Sequence, residues 1–142
     1  MALLAWALMG YMKQPLFQQG QGTLPMGEMT IGSTTLTVEI ASTPAEQQAG
    51  LSGRPSLALG HGMLFVFGTP GEYGFWMKEM LFSLDIIFIN SEKSVVTVYP
   101  ELTPGTYPEA FYPANPALYV LEVPAGFAAQ HGIVEGSKVV LQ

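Results

Sequence analysis

The sequence predicts a mainly β fold, a small antiparallel sandwich or partly open barrel with one or two short helices. Three observations lead there. Hydrophobic residues make up 49% of the 142 and charged residues only 11%, a balance that suits strands buried on one or both faces. Short apolar runs recur along the chain, and Gly, Pro or Asn turns punctuate them. Only brief stretches carry a helix signal. The length is that of one domain, able to bury about two-thirds of its unfolded surface without staples.

Met1 and Met12 bound an opening run, MALLAWALMGYM, that is apolar or small throughout. It is too short to span a bilayer, which takes about 20 residues. The run is expected to be an export signal or membrane anchor, which places the protein outside the cytoplasm; the alternative is a short helix packed on the domain. Residues 13–27 have the Gln, Gly and Pro content of a linker. Residues 1–28 are therefore assigned to the N-terminal segment and linker, and 29–142 to a single β-rich domain.

Leu36, Val38 and Ile40 alternate with Thr37 and Glu39, the pattern of a half-buried strand. Thr43-Pro44-Ala45-Glu46 is a capping box with proline at the first helical position, and Gly50 and Gly53 keep the helix short. Strands follow at 63–67 and 75–77 around a Gly/Pro turn, and again at 84–89. Asn90-Ser91-Glu92-Lys93 joins that strand to another at 95–99 in a hairpin. Residues 100–116 carry five prolines with Tyr107, Phe111 and Tyr112. They form either a mobile functional loop or a strap whose aromatics pack on the sheet. A strand at 118–123 leads into a helix begun by Pro124 and Ala125 and stopped at His131-Gly132, and 139–141 closes the domain.

Several classes of function are disfavoured. The chain has no cysteine, hence no disulfide, thiolate metal site or cysteine nucleophile. A net charge of -6 and five scattered Lys and Arg give no basic stripe for nucleic acid. Gly50-Leu51-Ser52-Gly53 is not a nucleophile elbow, and His61 and His131 stand in unrelated contexts. No cofactor and no metal is expected.

GMLFVF, FWMKEM, LDIIFI and YVLEVPAG, in that order and spacing, resemble the domain of unknown function 192 family over residues 36–141. The resemblance implies a small, mainly β, often exported bacterial or archaeal domain with no established activity, substrate or cofactor. By position, the family's recurring polar residues fall on Arg54, Trp76, Lys78, Asp85 and Glu122, and its recurring glycines on Gly62 and Gly126. The chain departs from the pattern at Glu79-Met80, where the family commonly has Asn-Thr, and at Ser83, where proline often stands.

Those five polar residues are the candidate ligand-binding set. Asp85 interrupts an apolar strand, and period-two geometry puts it on the face of Ile87 and Ile89. A carboxylate there needs a partner, and Arg54 or Lys78 is the expected one. The pair either ties the loop after the helix to the sheet or belongs to a cleft in which the two cations hold a small anionic ligand. Trp76 and Tyr73 line such a cleft or pack at its rim. Glu122 shares a strand face with Val120, as a solvated position, a structural partner, or an acid or base if its environment shifts its pKa.

The expected function is a non-catalytic domain that binds a small ligand or serves an envelope protein. One alternative is a small hydrolase or transferase using Asp85 and Glu122, which requires both in one pocket. Another is an interaction module docking a partner through Met77, Met80 and Phe82.

Overall fold

The computed structural model describes residues 23–142. The run at 1–12 expected to be an export signal or anchor, and most of the expected linker, lie outside the described residues. Nine strands appear in chain order: β1 (Met26–Ile31), β2 (Thr34–Ala41), β3 (His61–Gly71), β4 (Phe75–Trp76), β5 (Leu84–Ile89), β6 (Val95–Leu102), β7 (Ala110–Phe111), β8 (Ala117–Pro124) and β9 (Val139–Leu141). Two short helices, α1 (Pro44–Ala49) and α2 (Phe127–Gln130), and one 3-10 turn (Pro104–Thr106) complete the set among the described residues. Seven strands form one curled sheet, a half-barrel, in the order β6-β5-β8-β3-β2-β1-β9, and β4 and β7 form a separate ribbon.

The partly open barrel is thus the form taken. Its two edge strands are drawn together at one end. The Val95 N–H donates to the Ser137 carbonyl at 2.9 Å, and the Val139 N–H to the Lys93 carbonyl at 2.9 Å. Pairing is antiparallel except between β2 and β3, which run parallel. That one parallel pair has a topological reason. Residues 42–60, with α1 among them, form a crossover long enough to return the chain to the same edge in the same direction.

Local signals account for most of the elements. The Thr43 hydroxyl accepts the Glu46 N–H, and the Glu46 carboxylate accepts the Ser42 and Thr43 N–H groups, each at 2.9 Å. These donors hold the Glu46 carboxyl below the usual carboxylate range. In the β5–β6 hairpin the Asn90 side chain accepts from the backbone of Glu92 and Ser94. Three boundaries differ notably from expectation. β1 begins at Met26, inside the stretch read as linker, because pairing with β2 overrides a Gly/Pro-rich composition. β6 continues through Pro100 to Leu102; as an edge strand it tolerates a residue with no N–H. α2 begins at Phe127, with Gly126 as its N-cap at φ 93°, a conformation glycine adopts without strain. The 100–116 segment packs on the sheet as a strap, with Phe111 buried, the Tyr99 hydroxyl donating to the Tyr112 carbonyl at 2.6 Å, and the Ala114 N–H donating to Thr97.

The core has two layers, one on each face of the sheet. On the first face Leu36, Val38, Leu64, Ile87, Leu121 and Val123 pack with Phe127 and Ala128 of α2. On the second face Met63, Phe65, Ile86, Phe88 and Val120 are covered by Leu51, Met77, Met80 and Phe111. Gly62 lets β3 and β8 approach: a Cβ there would lie 2.9 Å from the Glu122 carbonyl oxygen.

Candidate functional site

Strand register places Glu122 in a row across the second face. Met63 of β3 and Ile86 of β5 are its direct neighbours, with Glu39 of β2 and Tyr99 of β6 beyond them. The row is apolar around Glu122, and the residue is only 5% exposed. Its Oε2 is buried with no hydrogen-bond partner. An ionised carboxylate is costly in such a place, so burial pushes the carboxyl up to about 8. At neutral pH Glu122 is therefore a neutral acid, able both to donate and to accept.

Above Glu122 lies a cleft of about 380 Å³. Its walls come from two local structures. One is the end of α1 and the turn after it, from Gln47 to Ser52; the other is the hydrophobic segment around β4. Phe65, Phe67, Tyr73, Phe75 and Trp76 contribute aromatic surface, and Met80 a soft apolar one. The rings hold one another in place. Phe67 stacks on Tyr73 with centroids 3.7 Å apart, and Phe75 meets Phe65 edge-on at 4.9 Å. Trp76 is half exposed and packs against Tyr107 of the strap, with centroids 5.3 Å apart. The size suits a small molecule, and an apolar lining with few polar groups is the usual composition of such sites.

Two of the five expected residues, Trp76 and Glu122, line this cleft; Arg54, Lys78 and Asp85 do not. Asp85 has no cationic partner. It is fully buried on the first face, where its carboxylate accepts the backbone N–H groups of Glu101 at 2.8 Å, Gly126 at 3.1 Å and Ala128 at 2.8 Å. It holds the start of α2 and an irregularity in the β5–β6 ladder, where Glu101 sits at φ 52°. Arg54 instead forms a two-pronged bond with Glu39, at 2.5 and 3.1 Å. The Lys78 ammonium lies 5.5 Å from the centroid of the Trp76 ring.

Three expectations are corrected by this placement. The carboxylate-pair chemistry fails, because Asp85 and Glu122 point to opposite faces of the sheet. The cleft in which Arg54 and Lys78 together hold an anion is not formed, because neither lines the cavity. The Met77–Met80–Phe82 docking patch fails, because Met77 and Met80 are buried under the second face and Phe82 is partly buried against it. Sequence reading missed the contribution of α1 and its following turn to the site. Gly50 and Gly53 marked the end of that helix, but nothing in the sequence places it over Glu122.

Among the described residues, no cluster of three His, Asp or Glu side chains has the arrangement to hold a metal ion. No helix among them is long and apolar enough to cross a membrane.

The family model described as "Uncharacterized ACR", the domain of unknown function 192, matches residues 27–141. The chain belongs to that family. It is similar to a crystal structure from Sinorhizobium meliloti 1021, described as a candidate transcription regulator. The identity is 30% and the TM-score 0.80, over 86% of this chain and 98% of that one. It is also similar to a protein of unknown function from Novosphingobium aromaticivorans DSM 12444. There the identity is 34% and the TM-score 0.78, over 82% of this chain and 86% of that one. No functionally curated protein matches the chain.

Proposed function

We propose that the protein is a non-catalytic domain that binds a small molecule in the cleft above Glu122. One observation carries this reading: a buried carboxyl with an unpartnered oxygen lies beneath an aromatic-walled cavity of about 380 Å³. A buried polar atom without a partner costs about 1–3 kcal/mol, and a ligand that supplies the partner recovers it. The aromatic walls add apolar contact, and the α1 turn and β4 segment are tied together before any ligand arrives. The Ser52 hydroxyl donates to the Lys78 carbonyl, and the Gly53 N–H donates to the Glu79 carbonyl. A preassembled cleft spends little of its binding energy on ordering itself.

Catalysis is disfavoured, since among the described residues Glu122 has no second ionisable carboxylate or base across the cleft to share a proton-transfer cycle. With a net charge of -6, a direct role on DNA finds no support in the charge. The apolar run at 1–12 supports a site of action at the cell envelope, which fractionation of cells expressing the full chain will test. The binding reading is tested by screening a small-molecule fragment set by ligand-detected NMR. Hits should be lost in Ala49→Trp, which places a large ring at the exposed lip of the cleft. Hits that persist unchanged in that variant would place binding elsewhere.

A further inference from the structure

We infer that the cleft selects an organic cation, a quaternary ammonium or alkylated amine, held against the aromatic walls with its charge facing Glu122. This rests on the reading of the cleft as a binding site and adds the chemical class of its ligand. Among the described residues, the one acidic or basic side chain that lines the cleft is Glu122, a carboxyl. The side-chain donors around it are largely committed to backbone carbonyls. The Tyr73 hydroxyl donates to Thr69, the Ser52 hydroxyl to Lys78, and the Gln47 amide to Ala41 and Val66. Of the lining side chains, Gln48 and the Trp76 indole remain, both exposed at the mouth.

An anionic ligand would therefore enter a cleft that no cationic side chain lines among the described residues, with few free donors. A cation meets the opposite arrangement. Ring faces attract positive charge, most strongly when both are out of water, and a carboxylate at the base completes the pairing. The half-exposed Trp76 already has the Lys78 ammonium 5.5 Å from its ring, an instance of the same attraction at the mouth.

Binding has a proton balance. The free protein keeps Glu122 protonated at neutral pH. A cation seated against it favours the carboxylate, so the carboxyl proton passes to solvent as the cation binds. Among the described residues, no other carboxyl, amine or imidazole lines the cleft. Met63 faces Glu122 from β3, Ile86 from β5, and Gln47, Gln48 and Ser52 from the α1 turn. Tyr73 lines the cleft with its hydroxyl bonded to Thr69. Glu39, neutralised by Arg54, and Tyr99 stand one strand further along the row.

The experiment is an NMR titration of the full chain, following the Met80 methyl and the Trp76 indole. The cationic probes are choline and benzyltrimethylammonium. The controls are 3,3-dimethylbutan-1-ol, the uncharged isostere of choline, and the anion 3,3-dimethylbutanoate. At least one cation should shift both signals and bind at least tenfold tighter than either control. Its affinity should fall about tenfold from pH 9 to pH 7, the fractional loss of ionised Glu122. Glu122→Gln should abolish the pH dependence and the preference for cations; Glu122→Met, apolar and of similar length, serves if that variant does not fold. An uncharged or anionic probe binding in the cleft as tightly as the cations overturns the cation assignment but leaves the binding site in place. If no probe moves the cleft signals and the fragment screen is also empty, both readings fall.

Discussion

Asp85 and Glu122 stand on paired strands one residue out of register, and so on opposite faces of the sheet. Asp85 pairs with Val123, and Ile86 with Glu122. That single offset separates the two buried carboxyls chemically. Asp85 is enclosed by three backbone donors, whereas Glu122 has none. One is a fastener and the other is available.

The fastener predicts a large stability effect. Bonds to an ionised acceptor contribute about 1.5–3 kcal/mol each, and removal leaves buried N–H groups unpaired. Asp85→Ala is expected to cost about 3–5 kcal/mol in denaturant unfolding. Asp85→Asn, which keeps one acceptor oxygen, should cost less. A loss below about 1 kcal/mol for Asp85→Ala would show that water takes over its three donors.

Arg54 and Glu39 predict the contrasting case. The pair is two-pronged but partly solvated, with Arg54 36% and Glu39 21% exposed along their side chains. A double-mutant cycle between them should give a coupling of at most about 1 kcal/mol. The cycle between Arg54 and Asp85 should give a value near zero, since the two share no contact. Substantial coupling between Arg54 and Asp85 would contradict the placement.

These two carboxylates also show what the sequence could and could not convey. Period-two alternation put Asp85 with Ile87 and Glu122 with Val120, and both assignments match the structure. The capping box at Thr43 and Glu46, the Asn90 turn and the closing strand were equally legible, because each is written in a few contiguous residues. Partners were not. Arg54 and Glu39 are brought together by the parallel β2–β3 crossover, a long-range consequence that no local pattern encodes. The backbone donors around Asp85 are invisible in side-chain identities. The cleft over Glu122 depends on where the α1 turn docks, which tertiary packing alone decides.

Glu79 carries a prediction about the family pattern. It sits at φ 57°, in the left-handed region where asparagine is tolerated better than other non-glycine residues. It is also the position at which the family resemblance implies an Asn. Glu79→Asn should stabilise the protein by about 0.5–1 kcal/mol, read as a rise in the denaturation midpoint with an unchanged slope. A decrease would mean that the Glu79 side chain makes a compensating contact.

Proteolysis should find the loop at 55–60 before the strap. Leu59 is 89% exposed between Ala58 and Gly60, whereas the strap is held by Phe111 and by the bonds to Tyr112 and Ala114. Brief chymotrypsin digestion, mapped by mass spectrometry, should show a first cut at or beside Leu59. A first cut at Tyr107 or Tyr112 would make the strap the more mobile element.

Glu122 also makes stability depend on pH. Its folded pKa lies above its value in the unfolded chain, so between them the folded state holds the extra proton. The favourable term is complete below the ordinary glutamate range near 4.5 and is lost as pH rises through about 8. Relative to Glu122→Gln, the natural protein should lose a few kcal/mol between pH 5 and pH 9. A constant difference across that range would show that the carboxyl is solvated.

The most direct test of Glu122 as the centre of the site is to titrate its side-chain carboxyl carbon by 13C NMR in the ligand-free protein. A midpoint near 8 is predicted for a carboxyl buried without a partner beneath an aromatic cleft. A midpoint in the ordinary range near 4.5 would mean that water or a cation already satisfies it, and would contradict the account.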